Sequence, residues 1–269
     1  MLAIKNNLMA ANAARYLGQS YDALATSVER LSSGLRINSA SDDAAGMAVR
    51  ELMRADIAVL QQGARNAQDG VSMLQTMEGA MQVQDNLLLR MKQLAEQAAT
   101  GTYVKAQRVI MDSEFDQLVA EIQRIATSTN FNGIKMLDNS ATVSIHFGGA
   151  SDKIDIVGSK MTKAKLGLSA LSVATVASAA SAITVLDSAI NAKDTARAKF
   201  GYNINRLEST GQVLAIQAEN LMAAESRISD VDVATEMATL TRNQVLSQAG
   251  TSMLAQANSI PQMALTLLR

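Results

Sequence analysis

Three acidic side chains lie close together near residue 230, where the sequence reads SRISDVDVATE. Asp230, Asp232 and Glu236 could in principle bind a divalent cation, because carboxylate oxygens are the ligands that Mg²⁺ and Ca²⁺ prefer. The same segment is also typical of a helix start, where an aspartate accepts hydrogen bonds from the first free N–H groups. We favour the helix cap, so the sequence predicts no metal site and no cofactor.

Histidine and cysteine, which supply most other metal sites and nucleophiles, are almost missing. His146 is the only histidine among 269 residues, and there is no cysteine. A zinc-protease HExxH motif needs two histidines, while disulfides, zinc–thiolate sites and thiol nucleophiles all need cysteine. We therefore predict no catalytic residue and no enzyme activity, and we expect His146 to face solvent on a strand.

The composition favours long helices packed through thin seams. The chain is 48% hydrophobic but only 3% aromatic, and its single proline leaves almost nothing to interrupt a helix. A net charge of −1 does not suggest a polyanionic partner such as nucleic acid. No apolar run reaches the roughly 18 residues of a transmembrane helix. The first residues also lack the apolar stretch of a secretory signal peptide, so we expect any export to cleave no such signal.

Hydrophobic heptads divide the chain into helices. A 4-3 spacing of apolar residues, the pattern of a coiled-coil seam, begins near residue 10 and returns in later segments. The stripes are Ala10, Ala14, Leu17, Tyr21, Leu24, Val28 and Leu31; 53–98; 111–125; 200–221; and Leu246, Ala249, Met253, Ala257, Ile260, Ala264 and Leu267. Polar breaks at 31–43 and 226–232 separate the terminal stripes from the others. Ser41 is predicted to cap the helix after the first break.

One segment has the period of a strand instead. Residues 143–147 alternate between apolar and polar, and so do 153–157, with the turn GGASDK between them. This predicts a β-hairpin at about 142–157, near the middle of a symmetric layout. The predicted fold class is mainly α: a long antiparallel helical bundle or coiled-coil rod with one small β-hairpin and with its N- and C-terminal helices paired.

Five motifs, in this order, closely resemble bacterial flagellin. They are RLSSGLRINSASDDAAGMAVRE at 30–51, NAQDGVSMLQTMEGAM at 66–81, NFNGIKML at 130–137, AESRISDVDVATEMA at 224–238 and AQANSIPQMALTLLR at 255–269. The resemblance implies a secreted structural subunit that self-assembles into the flagellar filament for motility. It also implies an inner D0 layer of residues 1–43 and 229–269 and an outer D1 helical layer of residues 44–228, which holds the hairpin. Since little chain remains for further domains, this looks like a near-minimal flagellin.

The same resemblance implies partners and a location. The chain would form a homopolymer outside the bacterium, after passing through the flagellar export apparatus with its chaperone. It would also meet the filament cap and the hook-junction proteins. Because the terminal stripes run to both chain ends, we predict that they form the assembly core. The members are Leu17, Tyr21, Leu24, Val28, Leu31, Leu246, Met253, Ile260 and Leu267.

Two surface features follow from the family as well. A vertebrate Toll-like receptor recognises flagellins of several lineages on D1, and Arg90, Leu94 and Glu114 match the residue types that carry this recognition. Leu89 stands before Arg90, where the family usually has glutamine. Flagellins are often O-glycosylated, which makes hydroxyls near the hairpin candidate acceptors. These are Ser140, Thr142, Ser144 and Ser151.

Two other classes of protein remain open at this point. A hook–filament junction protein shares terminal motifs with flagellin, and a secreted coiled-coil effector or adhesin would act as a monomer. The NFNGIKML turn and the QANSIPQMALTLLR ending favour flagellin over the junction protein. The sequence therefore predicts a filament subunit, with these two classes as alternatives.

Overall fold

The computed structural model describes residues 6–149 and 151–267, with side chains up to residue 260. The elements in chain order are α1 (Leu8–Ser33), α2 (Ala44–Ala99), α3 (Lys105–Ser128), β1 (Thr142–His146), β2 (Lys153–Val157), α4 (Val176–Ser229) and α5 (Val233–Leu267). The two strands form an antiparallel sheet, and α1 packs against α5. The predicted fold class is confirmed in its helical content, its hairpin and its paired terminal helices.

Local signals in the sequence set both ends of α1. The Asn7 side chain accepts a hydrogen bond from the Ala10 N–H at 3.0 Å, which caps the first turn. At the other end, Gly34 has a φ of 74° and donates its N–H to the Arg30 carbonyl at 2.8 Å. Glycine adopts this left-handed conformation without a Cβ penalty. The helix therefore ends where the polar break at 31–43 begins.

The start of α2 differs from the prediction in one respect. Asp43 rather than Ser41 directly precedes the helix, and its Oδ1 accepts a hydrogen bond from the Gly46 N–H at 2.9 Å. The Ser41 hydroxyl instead shares a hydrogen bond with Ser39 inside the turn. A carboxylate at this position satisfies a free N–H and also interacts favourably with the helix dipole, so Asp43 replaces Ser41 as the cap.

Contacts along the chain define two compact units. The terminal unit consists of the residues up to Ile57 together with those from Glu219 onward, and the central unit is Ala58–Ala218. The central unit has a continuous hydrophobic core built from the predicted stripes of α2, α3 and α4. Fully buried members include Leu74, Met81, Leu88, Met91, Phe115, Ile122, Phe200 and Leu207. These stripes predicted the core correctly because each has its packing partner within the chain.

Ion pairs connect α2 and α4 inside the central unit. They are Glu78–Arg197, Asp85–Lys193 and Lys92–Asp187. As the residue numbers on α2 rise from 78 to 92, those of their partners on α4 fall from 197 to 187. The two helices therefore run antiparallel. The Lys193 side chain is only 2% exposed and also contacts Asp194 at 2.7 Å. Its charge is therefore compensated where burial would otherwise be costly.

The hairpin packs on α2 through a close backbone approach. Ile154 and Ile156 of β2 are buried, while its other residues face solvent. Asn66 of α2 donates its side-chain amide to the His146 carbonyl at 2.8 Å. At Gly63, an added Cβ would lie 2.2 Å from the Phe147 carbonyl oxygen, so only glycine leaves room for the strand end. The predicted hairpin is confirmed, and its position depends on one glycine of the long helix.

Candidate assembly surface

The terminal helices α1 and α5 lie antiparallel in the terminal unit. The Asn7 side-chain amide donates to the Ala257 carbonyl at 2.8 Å, which joins the start of α1 to the second half of α5. Beyond the other end of α1, the Arg36 N–H donates to the Ser229 carbonyl at 2.6 Å. The two polar breaks therefore meet, and the two terminal stripes lie on neighbouring helices.

The fully buried side chains in the seam between α1 and α5 are small or polar, while Leu17 is only partly buried there. Ser27 is 2% exposed and Ser247 is 6% exposed. Gly250 lies against Leu17, where an added Cβ would come within 3.1 Å of Leu17 Cδ1. The Ser247 hydroxyl is buried and has no hydrogen-bond partner among the described residues. Because no large apolar side chain described in this seam is fully buried, we expect it to stabilise the helix pair less than the core of the central unit stabilises that unit.

Large apolar side chains of the same two helices are exposed to solvent. Met9 is 67% exposed, Tyr16 62% and Met253 64%. The others are Leu8, Tyr21, Val28, Val233, Met237, Val245 and Leu246. We call these residues the exposed apolar set. Single exposed apolar residues are ordinary, but so many on one pair of helices indicate an interaction surface.

The residues predicted as the assembly core fall into an exposed group and a partly buried group. Its exposed members are Tyr21, Val28, Leu246 and Met253, and its partly buried members are Leu17, Leu24, Leu31 and Ile260. The side chain of Leu267 lies outside the described residues. A single seam along each terminal stripe is therefore the wrong description, because Ser27 rather than Val28 faces the partner helix. Contact of these residues with neighbouring copies stays a prediction.

Sequence reasoning missed several members of the exposed apolar set. Met9 and Tyr16 lie seven residues apart on α1 and outside its predicted stripe. Val245 precedes a predicted member of the assembly core on α5. The available signal was this second seven-residue spacing, which places apolar residues on a further face of an already apolar helix.

A groove of about 280 Å³ opens between the two helices. Met9 and Ala13 line it from α1, and Met253, Ala257 and Ile260 line it from α5. Two thioether side chains border it, and thioethers adapt their shape to what they contact. The groove can therefore accommodate an apolar side chain of another molecule.

Asp232 caps α5, as the sequence predicted. Its Oδ2 accepts a hydrogen bond from the Thr235 hydroxyl at 2.7 Å, and its Oδ1 accepts from the N–H groups of Ala234 at 3.0 Å and Thr235 at 3.3 Å. These bonds, above all the one from the Thr235 hydroxyl, hold the pKa of Asp232 below its usual range. The carboxylate therefore stabilises the start of the helix in its ionised form.

The other two acids near residue 230 are engaged separately. Asp230 accepts a hydrogen bond from the Ser226 hydroxyl, and Glu236 lies 3.9 Å from Arg30 in an ion pair. In the part of the chain that the structure describes, no three His, Cys, Asp or Glu side chains are grouped as metal ligands. The segment therefore serves as a helix start. Within the same ranges, no helix is long and apolar enough to cross a membrane.

The residues predicted for receptor recognition do not all reach the surface. Arg90 and Glu114 form an exposed ion pair, with Nη2 2.7 Å from Oε1. Leu94 is only 2% exposed, so it offers no surface to a partner, which corrects that part of the prediction. It lies one turn beyond Arg90 on the inward side of α2. Leu89, which is 54% exposed, is the apolar residue beside this ion pair.

The hydroxyls predicted as glycan acceptors are all accessible. Ser140, Thr142, Ser144 and Ser151 are exposed, and the Ser144 hydroxyl donates to Asp155 across the hairpin. His146 is also exposed on β1, as the alternation predicted. Its carbonyl, rather than its imidazole, makes the contact with α2 described above.

Comparisons with known proteins point to one family. A family model described as "Bacterial flagellin N-terminal helical region" matches residues 4–142, and one described as "Bacterial flagellin C-terminal helical region" matches 183–268. The chain is 44% identical to a flagellin of Halalkalibacterium halodurans over 99% of both chains. It is 43% identical to a flagellar filament 33 kDa core protein of Treponema phagedenis, again over 99% of both.

Solved structures give a similar result. A crystal structure of Bacillus cereus flagellin matches with a TM-score of 0.51 at 36% identity, over 60% of this chain and 94% of that one. A putative flagellar hook-associated protein from Vibrio parahaemolyticus matches with a TM-score of 0.61, over 70% of this chain and 100% of that one. Its identity is only 13%, so this second likeness concerns the fold alone.

Proposed function

The chain belongs to the bacterial flagellin family and is a structural subunit of the flagellar filament, and we propose that copies join through the exposed apolar set of α1 and α5. The observation that supports this proposal is that small or polar side chains are buried in that helix pair while large apolar side chains face solvent. Ser27, Ser247 and Gly250 occupy the inner seam, while Tyr16, Val28 and Met253 face solvent. Neighbouring copies that cover these apolar side chains would supply the hydrophobic stabilisation that the seam lacks.

The arrangement in layers is part of the same proposal. Residues 1–43 and 229–269 would form the inner D0 layer, where the exposed apolar set lies, and 44–228 would form D1. A homopolymer needs a surface that is complementary to another part of the same molecule and repeats without closing. The groove beside Met9 and Met253 is one candidate receptor for a neighbour's apolar side chain.

The finer partners and the export route are proposed on the family resemblance. As a flagellin, the protein is exported and located outside the cell in the filament. We propose that it passes through the export apparatus with a chaperone and without a cleaved signal peptide, and that it meets the filament cap and the hook-junction proteins. Arg90 and Glu114 would contribute to a Toll-like receptor surface. We expect a purely structural role, with no catalytic activity.

Seeded elongation tests the proposed contact. Purified protein is added to short filament seeds and imaged over time, which also separates long filaments from the short complexes of a junction protein or from an inert monomer. The Leu246→Ser/Met253→Ser variant should elongate about tenfold more slowly or worse, because two apolar contacts are lost. Gln244→Ser, which changes an exposed polar residue of the same helix, is the matched control. Elongation of the double variant at the rate of the parent chain would refute the proposed contact.

A further inference from the structure

The two units differ in how far their methionine side chains are exposed to solvent. The chain has 15 methionines and no cysteine, so thioethers are its only sulfur groups. Six of them are 3% exposed or less and lie in the core of the central unit: Met73, Met77, Met81, Met91, Met136 and Met161. Among the methionines whose side chains the structure describes, the two most exposed, Met9 at 67% and Met253 at 64%, lie in the terminal unit. Of these described side chains, an oxidant in solution would therefore reach Met9 and Met253 first.

Met9 and Met253 also share one location. They line the same groove of about 280 Å³, together with the apolar side chains of Ala13, Ala257 and Ile260 and the polar side chains of Asn12 and Gln256. A thioether in this groove is compatible with an apolar side chain packed against it. A sulfoxide is not, because its oxygen is a strong hydrogen-bond acceptor that loses its water when the groove is covered.

We propose that Met9 and Met253 are modification sites for hydrogen peroxide, and that their sulfoxides prevent a free subunit from joining the filament. The thioether sulfur attacks one peroxide oxygen, an S–O bond forms and the O–O bond breaks, and the proton on the transferred oxygen passes to the leaving hydroxide. Sulfur is oxidised by two electrons, and the peroxide is reduced to water. This inference rests on the proposed function, because it requires a neighbouring copy to cover the groove. It also implies that subunits already in a filament are protected.

The test compares elongation before and after peroxide treatment of the free subunit. Peptide mass spectrometry should place sulfoxide on Met9 and Met253 well before the six buried methionines react. Seeded elongation of the treated subunit should fall about tenfold or more, and methionine sulfoxide reductases should restore it. Peroxide given to finished filaments should leave both methionines largely unoxidised.

Two variants make the assignment specific. Met9→Leu/Met253→Leu removes both proposed sites, and Met222→Leu removes a methionine that is 42% exposed and lies outside the exposed apolar set. Each is scored by the ratio of its elongation rates after and before peroxide, so that effects of the substitution itself cancel. The first ratio should stay near one and the second should fall as in the parent chain. The reverse pattern, or a parent chain that elongates normally with both sulfoxides present, would overturn the proposal. Untreated subunits that do not elongate at all would instead refute the proposed function.

Discussion

Single carboxylates fix the two places where the chain leaves the terminal helix pair. Asp232 accepts three hydrogen bonds at the start of α5. Asp42 accepts hydrogen bonds from the N–H groups of Asn38 at 3.0 Å and Ser39 at 2.8 Å in the other polar break. The hydrogen bonds from the backbone N–H groups of Ser39 and Asn38 are the main reason why the pKa of Asp42 lies below its usual range. Both turns therefore depend on ionised aspartate.

These carboxylates predict how the turns respond to acid. A carboxyl whose pKa is lower in the folded chain adds stability above its unfolded pKa, near 3.8, and loses it as the pH falls through the folded value. The protection factors of the amides in the first turn of α5, in which the intrinsic pH dependence of exchange is divided out, should thus fall several-fold below about pH 4. Asp232→Asn should show low protection factors already at neutral pH, with little further change in acid. Asp69→Asn, at an exposed site on α2, is the control. An acid response of α5 that persists unchanged in Asp232→Asn would contradict this role.

The ion pair between Arg90 and Glu114 allows a second prediction for single residues. Both side chains are about half exposed, so the double variant Arg90→Ala/Glu114→Ala should change the free energy of unfolding by only about 0–1 kcal/mol. A folded variant with strongly reduced Toll-like receptor signalling in reporter cells would support the proposed receptor surface. Arg124→Ala/Glu121→Ala, an exposed ion pair on α3 alone, is the matched control. Full signalling by the first variant would refute the transfer of this site from the family.

At the scale of elements, two glycines of α2 have opposite roles. A Cβ at Gly63 would lie 2.2 Å from the Phe147 carbonyl oxygen, whereas a Cβ at Gly79 would have no neighbour within 4 Å. Gly79→Ala should therefore stabilise the chain by about 1 kcal/mol through helix propensity. Gly63→Ala should destabilise it by about 1–3 kcal/mol, because the hairpin end must move. Chemical unfolding of both variants measures the difference. Equal stabilisation by both substitutions would mean that the hairpin does not depend on this close approach.

The helices show where sequence reasoning succeeds and where it cannot. The stripe at 53–98 predicted buried positions correctly because its partners, α3 and α4, carry matching stripes in the same chain. The stripe of α1 predicted the right helix but only part of its buried face, since Leu17, Leu24 and Leu31 are partly buried. Val28 of the same stripe is exposed, and Ser27 is buried instead. A heptad indicates that a face will be covered, but not whether the same chain or another copy covers it. The prediction that Leu94 meets a receptor was wrong for a related reason. A family resemblance transfers residue types but does not tell which side chains are exposed to solvent.

Across the whole molecule, apolar surface is buried unequally. The central unit buries a core of large apolar side chains, although it also exposes some, such as Ile110 and Tyr202. In α1 and α5, Ala257 is the only buried apolar residue among those the structure describes, and many large apolar side chains lie in solvent. A subunit of this kind is folded in one part and incomplete in the other until copies associate. Because the exposed apolar set contains many side chains, burying it requires an extensive interface, as in a polymer rather than a transient complex.

The most direct test of this claim measures the exposure of one outward residue before and after assembly. The chain has no cysteine, so a single engineered thiol reports on its own position. In Val28→Cys, maleimide should label the free subunit quickly and the finished filament much more slowly. Ser27→Cys, next to it on the inner seam, should label slowly in both states and serves as the control. Equal labelling rates of Val28→Cys in subunit and filament would contradict the claim that neighbouring copies cover the terminal helices.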